Sequence, residues 1–198
     1  ARGPGGHASI PGKGTPLPRL GAFMCEVENT DLFPVRLSSA SAEMYRRMAA
    51  LSADEGERAY LTAIAEERPG WQESLGERQK EMLGTTIAFT MAGGSQAANV
   101  IPQEAYVICN IRVAPGETVA GAVAALQTVA DRHQVELEVL RSNEPSPVTD
   151  PRGEAFARVE RAIQAAWPGT EVLPFLLSGG TDTKHFVSLC PNLSLIHI

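Results

Sequence analysis

Residues 103–113 alternate with a period of two: Ala105, Val107, Cys109, Ile111 and Val113 fall on one side, Tyr106, Ile108, Asn110 and Arg112 on the other. A pleated strand turns that spacing into two faces, the first of them apolar. The chain must therefore contain a sheet with a helix or second layer packed on its Ala105 side. Pro115-Gly116 closes the strand. A second β-rich run, Thr85-Thr86-Ile87-Ala88-Phe89-Thr90-Met91, ends at Gly93-Gly94, and Val135, Leu137 and Val139 predict a short last strand.

Around these runs the spacing is helical. Leu17, Leu20, Met24 and Val27 lie on one face of a helix that Asn29-Thr30-Asp31 should end, and Val119, Val123, Leu126 and Ala130 mark another. Residues 38–83 form a helical insert. Ser41 is the candidate cap for the helix carrying Met44, Met48 and Leu51, Tyr60, Leu61 and Ile64 mark further turns, and Pro69-Gly70 is the break. The order of helix, helical insert, strand, strand, helix, strand becomes a split βαβ once a strand is added upstream. The fold class expected is α+β: a ferredoxin-like antiparallel sheet with helices on one face.

Ser142 to Pro151 carries three prolines and reads as a linker. Beyond it Phe156, Val159, Ile163 and Trp167 trace an amphipathic helix ended by Pro168-Gly169. Val172 to Leu177 predicts a buried strand running into Ser178-Gly179-Gly180-Thr181-Asp182, an incomplete α/β segment. The expected organisation is a first domain over 1–146 with its first strand cut short, a partial second domain over 147–192, and a foreign tail over 193–198. Leu193 to Ile198 resembles adapter read-through more than the end of a fold, and the opening on Gly-Pro-Gly-Gly looks like the interior of a domain.

Composition excludes several classes. Hydrophobic residues make up 43% of the 198, charged residues 20%, which is ordinary for a globular protein. Seventeen basic against 23 acidic residues give a net charge of −6, without the basic stripe of a nucleic-acid binder. No run approaches the ~18 apolar residues of a membrane span, so neither nucleic acid nor membrane is expected as a partner. Cys25, Cys109 and Cys190 lie far apart and form no C-x-x-C pair, which argues against a disulfide framework and a zinc knuckle. The compartment is not legible; cytoplasmic is the working expectation.

Gly12-Lys13-Gly14-Thr15 fails as a phosphate loop, because His7 stands where its first glycine belongs. Ser178 lacks the glycine of a nucleophile elbow. His133, between helix and strand, is expected on the surface. Asp182 and His185, three apart, could point to one side, yet two ligands do not close a zinc site; a helix cap beside a surface histidine accounts for them equally. His7, in Gly5-Gly6-His7-Ala8-Ser9-Ile10-Pro11, is more pointed, since paired glycines let the backbone approach another surface and deliver an imidazole there. Arg112 faces away from the apolar side, either as an ordinary exposed arginine or as a two-pronged carboxylate clamp.

Four segments occur in order: Gly-Gly-His-Ala-Ser-x-Pro from Gly5, Asn99-Val100-Ile101-Pro102, Asn110-Ile111-Arg112-x-x-Pro-Gly, and Gly179-Gly180-Thr181-Asp182-Thr183-Lys184-His185-Phe186. The series resembles the dinuclear zinc exopeptidase and aminoacylase family of carboxypeptidase S, glutamate carboxypeptidase and succinyl-diaminopimelate desuccinylase, nearest the carboxypeptidase S branch, over residues 3–192. The resemblance implies a zinc-binding catalytic domain interrupted by a ferredoxin-like lid through which two copies form a homodimer. It makes residues 1–146 the lid and 147–192 part of the catalytic domain, with the ligands of two zinc ions elsewhere and no metal ligand among these residues. By the same resemblance His7 crosses the dimer to stabilise the oxyanion, with Asn99 near it. Arg112, Gly180 and Thr181 hold the substrate carboxylate, and Asp182 orients their loop. The implied activity is hydrolysis of a peptide or N-acyl amino acid at a C-terminal residue, the segment alone being inactive. The alternative is a non-catalytic dimerisation or small-molecule-binding module of the same fold. A His-x-Asp and a Glu-Glu pair upstream would decide for the enzyme.

Overall fold

The computed structural model describes residues 1–177, 182–186 and 188–190. The alternating run forms β4 (Tyr106–Arg112), paired antiparallel with β2 (Thr86–Gly93), Thr86 opposite Arg112 and Gly93 opposite Tyr106. The register slips between Phe89 and Met91, so Thr90 is an extra residue that bends β2. Val107, Cys109 and Ile111 of β4, with Ile87 and Phe89 of β2, turn to the core as the alternation predicts, while Tyr106 is half exposed.

Two helices cover that face. α1 (Pro16–Glu28) starts with proline in its first turn, where the missing N–H costs nothing. α5 (Val119–Arg132) is capped by the Thr118 hydroxyl, which accepts the Gly121 N–H at 3.0 Å. Leu20, Phe23 and Val27 of α1 and Leu126, Val129 and Ala130 of α5 are buried together with Ala105 and Val135. The Phe23 ring meets Phe89 edge-on, 6.1 Å between centroids. α1 buries Phe23 rather than Leu17, which is half exposed.

The strand expected at 135–139 is not formed. Val135 is buried and Leu137 packs on the core, but Val139 is exposed and no ladder joins this segment among the described residues. Alternation says which side faces the core; a strand also needs a partner backbone. The N-terminal segment pairs instead with the residues leading into β4, through a bridge from Arg2 to Glu104 and through β1 (Gly6–His7) against β3 (Val100–Ile101). The described strands therefore make two separate two-stranded ladders, β1–β3 and β2–β4.

By contacts the chain divides into two compact units. The first takes residues 1–34 and 85–144, the second 35–84 and 145–198. In the second, α2 (Ser39–Leu51), α3 (Glu55–Ala65) and α4 (Glu77–Leu83) enclose Met44, Tyr45, Leu61, Ile64, Trp71, Leu75 and Leu83. The cap of α2 is Ser38, not Ser41: Ser38 has extended backbone angles and its Oγ accepts the Ser41 N–H at 3.0 Å, leaving Ser41 buried in the first turn. Asp54 caps α3 by accepting the Glu57 N–H at 2.7 Å. Gly70, at φ 83°, takes the left-handed turn that follows Pro69.

α6 (Glu154–Ala166) belongs to the same unit and has no fully buried residue. The buried strand expected at 172–177 is absent: Leu173, Phe175 and Leu177 are exposed, and no described strand lies beside them. Burial on both faces belongs to the surrounding sheet, and periodicity within one segment cannot supply that sheet. No helix among the described residues is long and apolar enough to cross a membrane.

Candidate functional site

His7 is delivered by the local backbone. Gly5 has φ 71°, and a Cβ there would lie 2.7 Å from Gln103 Cγ and 3.2 Å from the Ile101 carbonyl oxygen, so only glycine permits this approach. The Gly3 N–H donates to the Gln103 carbonyl at 2.8 Å. Across the short ladder His7 pairs with Val100, and the next residue, Ala8, donates its N–H to the Asn99 carbonyl at 2.9 Å. The Ile10 N–H closes a turn on the His7 carbonyl at 3.1 Å. His7 and Asn99, far apart in sequence, thus lie on paired strands of one ladder, one register position apart, and both are exposed.

The imidazole is tied to its own turn. Ser9 Oγ lies 2.7 Å from His7 Nδ1, and the Ser9 backbone N–H donates to the same nitrogen at 3.2 Å. Ser9 was not singled out by spacing; the signal that could have found it is a hydroxyl two residues past a histidine inside a turn.

Arg112 is the last residue of β4, exposed, and paired with Thr86. Just beyond it the Ala114 N–H donates to Thr85 Oγ1 at 2.9 Å, before Gly116 turns the chain at φ 91°. At ~3.4 Å per residue β4 carries Arg112 about 20 Å from Tyr106, at the end of the strand away from β3. The structure therefore sets His7 and Asn99 on paired strands of one ladder and Arg112 at the end of the other. Asp182 opens a 3₁₀ turn, Asp182–His185, in place of an α-helix start, and both residues are exposed. Gly180 and Thr181 lie outside the described residues. Among those described, no group of three His, Cys, Asp or Glu could hold a metal ion.

Fold and site define a class: an α+β module that presents an imidazole and an asparagine from one edge and an arginine from the far end of its longer ladder. Residues 1–138 match the peptidase dimerisation domain of M20 enzymes, and the chain belongs to that family. Its relatives include the probable carboxypeptidase S-like 2 of Dictyostelium discoideum, 30% identical over 55% of this chain and 21% of that protein. The N-fatty-acyl-amino acid synthase/hydrolase PM20D1 of Xenopus tropicalis is 34% identical over 55% of the chain and 22% of its own length. The succinyl-diaminopimelate desuccinylase of Nitrosospira multiformis is 34% identical over 51% and 26%. Among solved structures, an M20 family metallo-carboxypeptidase of Sulfolobus solfataricus shares the fold, with a TM-score of 0.53, 16% identity, and coverage of 91% of this chain and 44% of that one. The matched region is about a quarter or less of these three curated relatives.

Proposed function

We propose that this chain is the lid and part of the catalytic segment of a zinc-dependent amidohydrolase that cleaves a peptide or N-acyl amino acid at its C-terminal residue. In that reading the ligands of the two zinc ions lie outside residues 1–192, and the lid completes a ferredoxin-like sheet and pairs two copies into a homodimer. The observation that carries the reading is that, in a chain of this family, His7 and Asn99 are exposed on the paired strands of one short ladder, with Arg112 ending β4. The names of the relatives agree with it, since carboxypeptidases, acyl-amino acid hydrolases and desuccinylases all break an amide next to an amino acid.

The chemistry follows from the groups. Hydrolysis adds water across the amide, and the carbonyl oxygen gains negative charge as the tetrahedral species forms. An imidazole N–H aimed at that oxygen is worth most when the charge has developed. Arg112, with a planar fork of donors, suits the free carboxylate, which is present before, during and after reaction. Gly180 and Thr181 would complete the carboxylate site and Asp182 would orient their loop. Because His7 and Arg112 stand at opposite ends of one lid, each active site draws its histidine and Asn99 from the partner copy and its arginine from its own.

The two roles separate kinetically in the full-length protein. His7→Ala should lower kcat about 100-fold with little change in KM. Arg112→Ala should mainly raise KM, as expected for a contact made equally in ground and transition states, by about 2–3 kcal/mol of binding. A His7→Ala enzyme that keeps its kcat contradicts the oxyanion role.

A further inference from the structure

We propose that Ser9 is the positioning residue of this site, holding the His7 ring in the form that carries its proton on Nε2 and aiming that N–H outward. The inference rests on the role proposed for His7, but its evidence is separate. Ser9 lies inside the turn that the Ile10 N–H closes on the His7 carbonyl. Its backbone N–H, which can only donate, meets Nδ1 at 3.2 Å. A nitrogen that accepts from an N–H carries a lone pair there, so the proton of the neutral ring sits on Nε2. Ser9 Oγ, 2.7 Å from the same Nδ1, adds a second contact to that side of the ring.

Both consequences matter for an oxyanion donor. An exposed imidazole exchanges rotamers on the ps–ns timescale and samples both tautomers. His7 is exposed, so packing does not hold it; the hydrogen bonds of its own turn do. Fixing Nδ1 toward the turn leaves Nε2–H as the outward donor and removes the reorganisation that would otherwise precede reaction. The device is local, built from the His-Ala-Ser spacing, and needs neither a metal nor a second subunit to form.

The test reads the ring itself, in this chain, by long-range ¹H–¹⁵N correlation at a pH where the histidines are neutral. The His7 signals are assigned by their loss in His7→Gln. Wild type should show one tautomer, with Nε2 protonated and Nδ1 at the position of an accepting nitrogen. Ser9→Ala, which keeps the backbone N–H and removes only the hydroxyl, should move both nitrogens part of the way toward the averaged positions of free histidine, and Ser9→Thr, which keeps both groups, should restore them. The signals of His133 and His185 should stay in place in all variants, which separates this effect from unfolding. A wild-type ring protonated on Nδ1, or His7 signals unmoved in Ser9→Ala, overturns the proposal. The kinetic role of His7 can fail while this shift is seen, and the shift can fail while His7→Ala loses kcat, so the two readings are judged apart.

Discussion

Glu26 joins the ends of α1 and α5. Arg132 donates to Glu26 Oε1 from Nε at 2.8 Å and also from Nη2, and His133 Nε2 lies 2.6 Å from Oε2. The Arg132 guanidinium first, and the His133 ring after it, hold the Glu26 carboxyl below its ordinary value of 4.5. A carboxyl depressed in the folded state stabilises it above the unfolded pKa, and that contribution disappears as pH falls through the lower folded value. Urea unfolding between pH 6 and 3 should therefore show stability falling below about pH 4.5, with a shallower acid limb in Glu26→Gln. Superimposable limbs for the two proteins would show that this carboxylate carries no linkage. His133, expected on the surface as a lone histidine, is only 22% exposed in its side chain. Its partner is 107 residues away, and no local pattern marks such a pair. The backbone before His7 was legible because its residues are unusual: Gly5, at φ 71°, approaches Gln103 and the Ile101 carbonyl as a paired glycine suggests.

At the scale of elements, α6 shows what spacing can and cannot supply. Phe156, Val159 and Ile163 make the stripe that predicts the helix, yet none is fully buried. What ties α6 to α2 is Arg47. Its Nη1 donates to Glu160 and to the Val172 carbonyl at 2.9 Å, its Nε donates to Glu43 at 3.0 Å, and its guanidinium lies 5.2 Å from the centre of the Phe156 ring. Burial pushes the Glu43 carboxyl up, but Arg47 and Arg46 outweigh it and hold the carboxyl below its ordinary range. Removing Arg47 strands the Glu160 carboxylate and the Val172 carbonyl and leaves Glu43 to Arg46 alone, so Arg47→Ala should cost about 2–3 kcal/mol in denaturant unfolding. A loss under ~0.5 kcal/mol, typical of surface changes, would show that the network is incidental. The helices and the β2–β4 pair were legible because amphipathic spacing is a property of one segment. The strands expected at 135–139 and 172–177 were not realised because a strand is a relation between two backbones. Ser38 displaced Ser41 as cap for a comparable reason: two serines three apart can both serve, and the one in extended backbone takes the place.

For the whole molecule the informative quantity was order. Each of the four motifs is short, and their sequence along the chain led to the family that residues 1–138 match. That His7 and Asn99 belong to one site is implied by that order; β1 and β3 set them on paired strands, Val100 opposite His7 and Asn99 opposite Ala8. The distance of Arg112 from both was not legible, because the motifs say which residues matter and leave open which copy they serve. In the proposed dimer one chain gives His7 to its partner's site and Arg112 to its own. That arrangement is tested by mixing full-length His7→Ala with full-length Arg112→Ala, allowing subunit exchange, and assaying below KM. Each mixed dimer then has one site with both groups and one with neither, so activity should recover to roughly a quarter of wild type at equal mixing, half the dimers being mixed and one of their two sites intact. Verified exchange with activity no higher than the mean of the two variants would contradict the claim.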